Sequence, residues 1–271
     1  MSVLYDDVRP AAVAGMFYPG DEKTLRRDVL KLCGKQALRE KALGVMVPHA
    51  GYVYSGALCG RALAGVEIPP TVLILHTKHQ AGGGALSLAA FEHWQTPLGD
   101  VETDHELTDA LANLPGIVVS NRPHTRDHAA EVVLPFLQVL RPAVKIAVIS
   151  VGHFEENLAT VAAAIARAIK SHKQPVLVVS SSDMNHYESH ALTLSKDEHA
   201  LAKLRAYDAP GMLAVCEHEN ISMCGAYATA LMLEICRALG ATRARVLEHT
   251  TSGPTSGDME QVVGYATAVV S

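Results

Sequence analysis

Apolar residues along the chain fall into short continuous runs and into longer stretches with helical spacing. The runs include ALGVMVP (42–48), TVLIL (71–75), VKIAVISV (144–151) and PVLVV (175–179). Continuous rather than alternating runs of this length are typical of strands buried on both faces. Between the last two stands the alanine-rich stretch ENLATVAAAIARAIKSH (156–172), which favours a helix. Strand, helix and strand in this order predict a right-handed crossover between parallel strands.

The remaining pattern predicts further helices and strands of ordinary length. Asp21 is the expected cap of a helix that follows it, and Thr103 the expected cap of a helix over 103–114. RDHAAEVVLPFLQVL predicts a helix interrupted at Pro135. Helices are expected between about 190 and 239, and ALSLAAF, ARVLEHT and QVVGYATAVV predict strands. Without repeats or linkers, the expected fold is one α/β domain over residues 1–271, with helices on both faces of a mixed, largely parallel sheet.

Composition excludes several classes of protein. The 271 residues are 49% apolar and carry a formal net charge of −5, which favours a globular chain. Scattered Lys and Arg argue against nucleic-acid binding, and the apolar runs are too short to cross a membrane. The acidic start MSVLYDDVRP argues against a leader peptide. Five cysteines without regular spacing predict a reduced, cytoplasmic protein.

Histidines follow three of the predicted strands. His49 comes after VMVP, His76 and His79 come after TVLIL, and Asp183 and His186 come after VLVVSSS. Ligand sites of open α/β sheets lie at the carboxyl ends of the strands, so these residues are expected to share one edge. Taken singly, His49 fits a loop residue and His76 fits packing, whereas a nearby Asp183 would fix the tautomer of His186. Most other histidines, His124 among them, are expected at the surface.

Two further features bear on this edge. His128 and Glu131 would share one face of a helix. Cys224 stands where a helix is expected to begin, where amide groups and the helix dipole stabilise a thiolate. As a small buried side chain it has an equally good structural role. The other cysteines fit packing, and no G-x-G-x-x-G, Walker loop or G-x-S-x-G elbow occurs.

The order of these segments resembles the Memo family. The matching segments are PHAGYVYSG, LILHTKH, DHAAEVVLPFLQ, SSSDMNHY, MCG, SGD and VVGYA, and the opening PAAVAGMFYPGD is also similar. The resemblance spans nearly the whole chain. Bacterial and archaeal members are also called AmmeMemoRadiSam system protein B, after an associated radical-SAM protein. The resemblance implies the fold of class III (LigB-like) extradiol dioxygenases, an α/β sandwich around a metal pocket.

The resemblance also implies roles for individual positions. His49, His79 and Cys224 match the family's metal ligands. His186 matches the acid/base of the related dioxygenases, with Asp183 beside it. Three further positions are implied to line the pocket: Tyr52, His128 and Glu131.

The turn before the second ligand departs from the family pattern G-P-x-H. Here it reads His76-Thr77-Lys78-His79. This brings the charge of Lys78 towards the expected metal and leaves His76 as an alternative ligand. The alternative is that the loss of glycine and proline from this turn leaves a site that no longer holds metal.

The ligands that the resemblance implies limit which metals the site would bind and which reactions it would support. Two imidazoles and one anionic ligand with open positions suit ferrous iron, and a thiolate widens the choice to copper(I) and zinc. We therefore expect a metal-binding protein, iron foremost, with dioxygenase-like oxygen or redox chemistry on an unknown small molecule. A carboxylate of Glu131 or Asp183 in place of Cys224 is an alternative ligand. A non-catalytic component that holds a peptide for a radical-SAM partner is the alternative function, and zinc-assisted hydrolysis is a third.

Overall fold

The central strands and most helices follow the predicted pattern, whereas the short strands Asp6–Arg9, Gly99–Thr103, Ile117–Val119 and His186–Glu188 were not predicted. A computed structural model describes residues 3–35, 38–154 and 156–271. Met1 and Ser2, the first two residues of the acidic stretch MSVLYDDVRP, lie outside the described residues. The strands are β1 Asp6–Arg9, β2 Gly44–Val47, β3 Thr71–Thr77, β4 Leu86–Leu88, β5 Phe91–Thr96, β6 Gly99–Thr103, β7 Ile117–Val119, β8 Lys145–Val151, β9 Val176–Ser181, β10 His186–Glu188, β11 Ala244–Thr251 and β12 Val262–Val270. The α-helices are α1 Glu22–Cys33, α2 Ala57–Ala64, α3 His105–Ala112, α4 Leu134–Leu140, α5 Leu158–Ser171, α6 His190–Arg205, α7 Ala209–His218, α8 Ala226–Leu239 and α9 Gly253–Ser256.

The strands form one mixed sheet with a parallel centre. Its main path runs β1-β5-β6-β8-β3-β9-β2-β12-β10, with β11 beside β12 and β4 joining β7 to β8. The neighbours from β6 through β8, β3 and β9 to β2 are all parallel. Val47 of β2 and His76 of β3 both pair with Ser181 of β9. The carboxyl ends of these three strands therefore lie level with one another.

The central strands are buried on both faces because helices cover both sides of the sheet. Successive residues of β3 alternate between two cores: Leu73 and Leu75 pack with helices α5 to α8, and Val72 and Ile74 pack with α1, α2 and α4. All four of these side chains are fully buried. This explains the continuous apolar runs of the sequence. The predicted α/β fold, with a largely parallel central sheet between layers of helices, is confirmed.

Some local predictions need correction. Asp21 caps α1, accepting the Thr24 N–H at 2.9 Å, but α3 is capped by Asp104 rather than Thr103. Thr103 is the last residue of β6, and its hydroxyl donates to a neighbouring strand. Pro135 lies in the first turn of α4 and does not interrupt it, since a proline there removes no helical hydrogen bond. Among the described residues, no helix has the length and apolar character needed to cross a membrane.

Candidate metal centre

A cavity of about 780 Å³ opens at the carboxyl ends of β2, β3 and β9. We call it the site cavity. Its lining includes six side chains of the kinds that bind transition metals: His49, His79, His128, Asp183, His186 and Cys224. The strand ends bring these residues together although they are distant in sequence. The predicted convergence of histidines at one edge of the sheet is confirmed for His49, His79 and His186.

His49 is held in one tautomer by the strand next to it. Its ring Nδ1 lies 2.9 Å from the Ser181 hydroxyl, which itself donates to the Ala129 carbonyl at 2.6 Å. Since that hydroxyl proton is already used, Nδ1 of His49 must be the donor and Nε2 keeps its lone pair. Burial, together with the charge of His79, lowers the pKa of His49 well below its ordinary value. A neutral imidazole with a free Nε2 is the form that binds a metal.

His79 is held by a carboxylate that sequence reasoning did not identify. Asp127 accepts the backbone N–H of His79 at 3.1 Å and lies 3.2 Å from its ring Nδ1. Because a carboxylate only accepts, Nδ1 donates and Nε2 is left free. Burial would raise the pKa of Asp127, but the hydrogen bond from His79 and the nearby His76 outweigh it and hold that pKa below its ordinary value. A carboxylate behind the histidine is the usual support of a metal ligand.

The unusual turn before His79 keeps its extra polar groups out of the site cavity. The Lys78 ammonium donates to the Gly84 carbonyl at 2.7 Å. His76 is fully buried, with Nδ1 donating to the Thr77 carbonyl and Nε2 lying 3.0 Å from Nδ1 of His124. His124 is also fully buried, so it does not share the surface position expected for most of the other histidines. Neither His76 nor Lys78 lines the cavity.

Cys224 lies just before α8, with its sulfur facing His49. Sγ is 3.4 Å from His49 Nε2 and accepts the Asp183 N–H at 3.2 Å. Burial and the Asp183 carboxylate raise the pKa of the thiol, outweighing the backbone hydrogen bonds that lower it. The expected thiolate-stabilising effect of the helix start is thus not sufficient by itself. The other cysteines are buried in the cores, as their packing role predicts.

The three ligand atoms are close enough to share one ion. One ligand atom each of His49, His79 and Cys224 lies within 4.8 Å of the other two. A metal with ordinary Zn–N and Zn–S bond lengths sets its ligand atoms roughly 3.4–3.8 Å apart. Small side-chain rotations would close this difference. The residues present therefore fit a mononuclear transition-metal ion.

His186 is oriented by Ser222 and not by Asp183. Its ring Nδ1 lies 3.0 Å from the Ser222 carbonyl, and its backbone N–H donates to the Ser222 hydroxyl at 2.8 Å. The carbonyl can only accept, so Nδ1 donates and Nε2 is free. Asp183 instead accepts the backbone N–H of His49 at 2.8 Å. The prediction that Asp183 orients His186 was wrong, because Asp183 lies behind His49 and Cys224.

His128 lines the cavity, but not from a helix. It precedes a 3₁₀ turn at Glu131–Val133, since α4 begins only at Leu134. Its ring stacks on His79, with 4.8 Å between centroids and an interplanar angle of 7°. Burial, with the charges of His49 and His79, lowers the pKa of His128 to about 4. Its Nδ1 or Nε2 forms a second potential ligand group with His79 and Asp127.

Glu131 lies outside the site cavity and has a structural role. It is fully buried and forms an ion pair with the equally buried Arg9. Its other contacts are the N–H groups of Ala12 and Val13, at 2.8 and 3.0 Å, and the Tyr18 hydroxyl. All of its lone pairs face the N-terminal segment. Glu131 therefore does not line the pocket, and it is not placed to replace Cys224 as a ligand.

Tyr52 also lies outside the lining of the site cavity. It lies in a π-helical turn, Tyr52–Gly56, and its hydroxyl donates to the Val132 carbonyl at 2.8 Å. Its ring packs on Tyr18 and Phe136 in the core. Tyr54, two residues later, lines the cavity instead. The expected position was wrong because the π turn directs Tyr52 inwards.

Sequence reasoning missed the residues that fix the histidines. These are Asp127, Ser181 and Ser222. Each adjoins a motif that was recognised: Asp127 precedes His128, Ser181 precedes Asp183 by two positions, and Ser222 precedes Cys224 by two. Polar residues next to a ligand motif were the available signal.

The fold and the cavity define an α/β protein with a His/His/Cys group able to bind a metal. A crystal structure of an uncharacterised protein from Escherichia coli K12 shares the fold, with a TM-score of 0.52 at 11% identity over 84% of this chain and all of that one. This likeness shows a shared fold, and the expected relation to LigB-like dioxygenases stays a prediction.

Sequence comparison identifies the family. The family model for Memo-like proteins matches residues 9–269. A MEMO1 family protein of Pyrobaculum arsenaticum is 36% identical over 275 residues, covering 96% of this chain and 97% of the relative. One from Ignicoccus hospitalis is 38% identical over 276 residues, covering 96% and 97%. The chain belongs to the Memo family.

Proposed function

We propose that the chain binds one redox-active transition metal, iron foremost, through His49 Nε2, His79 Nε2 and Cys224 Sγ. The observation that carries this proposal is the grouping of three such ligand atoms within 4.8 Å at a cavity. Iron held by two imidazoles and one anionic ligand would supply exchangeable positions for a substrate or oxygen. The thiolate also suits copper(I) or zinc, which the experiment below distinguishes.

The side chains around the ligands have separate tasks. Ser181 and Asp127 hold the two imidazoles in the tautomer that leaves Nε2 free. His186 lines the same cavity with its own free Nε2, so it can accept a proton from a bound substrate and return it. Asp183 holds the backbone of His49 and, through its N–H, the sulfur of Cys224.

The experiment is elemental analysis of protein purified without oxygen. We expect near-stoichiometric metal in the wild type and its loss in His49→Ala and Cys224→Ser. Matched controls are His218→Ala, which removes an exposed histidine, and Cys33→Ser, which removes a buried thiol elsewhere. Both controls should keep the metal. Equal metal in Cys224→Ser and the wild type would contradict the thiolate ligand and favour Asp183 in its place.

A second function has its own supporting observation. Aromatic side chains surround the mouth of the site cavity, including the exposed Tyr187 and the partly exposed Tyr54. Such a rim suits a peptide held without reaction, and the family resemblance suggests a radical-SAM protein as the associated partner. Oxygen consumption separates the two functions. A catalyst should lose it in His186→Ala, whereas a binding component should show none in either form.

A further inference from the structure

A second cavity lies at the opposite end of the sheet. It has a volume of about 900 Å³ and is lined by the segments that precede β2, β3 and β9, with the ends of α5 and α8. This size falls within the roughly 300–1,000 Å³ of small-molecule sites. None of the residues of the site cavity takes part in it. We call it the basic cavity, defined by its five cationic side chains: Arg39, Lys41, Arg141, Lys170 and Lys173.

The charge of the basic cavity is opposite to that of the whole chain. The protein has a formal net charge of −5, yet the only acidic residue among those lining this cavity is Glu67. The five cations come from three separate parts of the sequence. Convergence of like charges destabilises a fold unless an anion offsets it.

Two of the five cations have partners within the protein. The Lys170 ammonium donates to the Ala238 carbonyl at 2.8 Å, and Lys173 lies 3.5 Å from a carboxylate oxygen of Glu106. Both also lie near the end of α5, where the helix dipole favours positive charge. Their presence therefore has a structural explanation.

The other three cations have no such explanation. Within the described ranges, the side chains of Arg39, Lys41 and Arg141 take part in no ion pair and no hydrogen bond that the structure shows. All three are exposed at the cavity. Two guanidinium groups and an ammonium match the oxygens of phosphate groups, because guanidinium binds them through two parallel hydrogen bonds.

The basic cavity is also lined by apolar residues, which we call its apolar floor. It includes the prolines Pro69, Pro70 and Pro175, with Leu43 and Ile68 beside them. An inorganic anion would leave this surface unused. A ligand that combines phosphate groups with a flat apolar ring would use both parts of the cavity.

We propose that the basic cavity binds a nucleoside di- or triphosphate, with the phosphates at Arg39, Lys41 and Arg141 and the base on the apolar floor. This site is separate from the metal centre and does not depend on it. The sequence has no run of basic residues that would indicate this site, because its cations come together only in the folded chain.

The test is calorimetric titration of the full chain with ATP, adenosine and inorganic tripolyphosphate. We expect ATP to bind more tightly than either of the other two, and added salt to weaken it. The double variant Arg39→Ser/Arg141→Ser should weaken ATP at least about tenfold, the loss expected for hydrogen bonds to charged groups. The control Arg26→Ser/Arg126→Ser removes two exposed guanidinium groups elsewhere and should leave the affinity unchanged.

Four results would overturn the proposal. ATP could fail to bind, or could bind the double variant and the wild type alike. Tripolyphosphate could bind as tightly as ATP, which would mean a simple anion site. A single-stranded oligonucleotide could bind more tightly than ATP and displace it, which would assign the cations to nucleic acid. The metal content of the double variant should equal that of the wild type in every case.

Discussion

The Asp127 carboxylate holds His79 at two points, its backbone N–H at 3.1 Å and its ring Nδ1 at 3.2 Å. One buried side chain thus sets both the position of the turn and the tautomer of the imidazole. The same carboxylate also accepts the Ala129 N–H at 2.9 Å, so it is itself held in place. Where a metal ligand is supported in this way, the support matters nearly as much as the ligand.

Asp127→Asn should therefore weaken metal binding by about 10- to 100-fold, the usual effect of removing such a support. The two donors of His79 reach different oxygens of Asp127, and asparagine replaces one of these oxygens with an NH₂ group that cannot accept. Metal competition with a coloured chelator measures the change. Asp258→Asn, at an exposed position, is the control and should bind metal like the wild type. Unchanged affinity in Asp127→Asn would show that Asp127 does not support a ligand.

His186 should be the Nδ1–H tautomer when neutral, because its Nδ1 faces the Ser222 carbonyl. Long-range ¹H–¹⁵N NMR of the histidine rings measures this directly in the wild type. Asn185, which accepts the N–H and hydroxyl of Ser222, should be needed for that tautomer. Asn185→Ala should mix the tautomers and cost about 1–3 kcal/mol of stability through unpaired buried groups.

Ser222→Ala is the matched variant for this experiment. It keeps the carbonyl that accepts from His186 and loses only the hydroxyl. The Nδ1–H tautomer should therefore remain the main form. A wild type in which the Nε2–H form dominates would contradict the assigned orientation of the ring.

Glu131→Gln should lower the free energy of unfolding by about 3–5 kcal/mol, the cost of leaving a buried charge without its partner. The affected charge is Arg9, which is fully buried with Glu131. Urea denaturation measures the loss. The control is Glu248→Gln, which breaks the partly exposed pair with Arg61 and should cost about 1 kcal/mol or less. Equal losses in the two variants would contradict the structural role given to Glu131.

The pH dependence of stability should include a contribution from Asp104. Burial raises the pKa of this carboxyl, but the Leu107 N–H, the Thr71 hydroxyl and His172 outweigh burial and lower it below 3.8. A carboxyl with a lowered folded-state pKa stabilises fully above its unfolded value and loses that stabilisation as the pH falls through the folded value.

Asp104→Asn isolates this effect because asparagine also caps helices well. We expect it to cost about 1–2 kcal/mol at pH 7, from weakened charge-assisted hydrogen bonds. The difference from the wild type should begin to shrink as the pH approaches 3.8 and should be lost below the lower folded-state pKa, where Asp104 is neutral in both the folded and the unfolded chain. Urea denaturation at pH 7, 5 and 3.5 measures it. A difference that stays constant over this range would contradict the ionic contribution.

The sequence by itself determined the central strands of the sheet, most of the helices and the edge of the sheet where the histidines meet. Continuous apolar runs report burial on both faces, and a residue that follows a parallel strand must lie at its carboxyl end. His49, His79 and His186 were found in this way, whereas Cys224 was singled out because a helix was expected to begin there. Family resemblance added the pairing of Cys224 with two of these histidines.

Only the tertiary structure decided which side chains support the site and which do not. Asp127 is 48 positions from His79, Ser222 is 36 from His186, and Glu131 is 122 from Arg9. Spacing reports only neighbours on one helix or strand, so it paired Glu131 with His128 and Asp183 with His186. Contacts between distant segments depend on how helices and turns pack on the sheet, and this packing cannot be read from local sequence patterns. The basic cavity has the same origin, because its cations come together only when the strand beginnings are aligned.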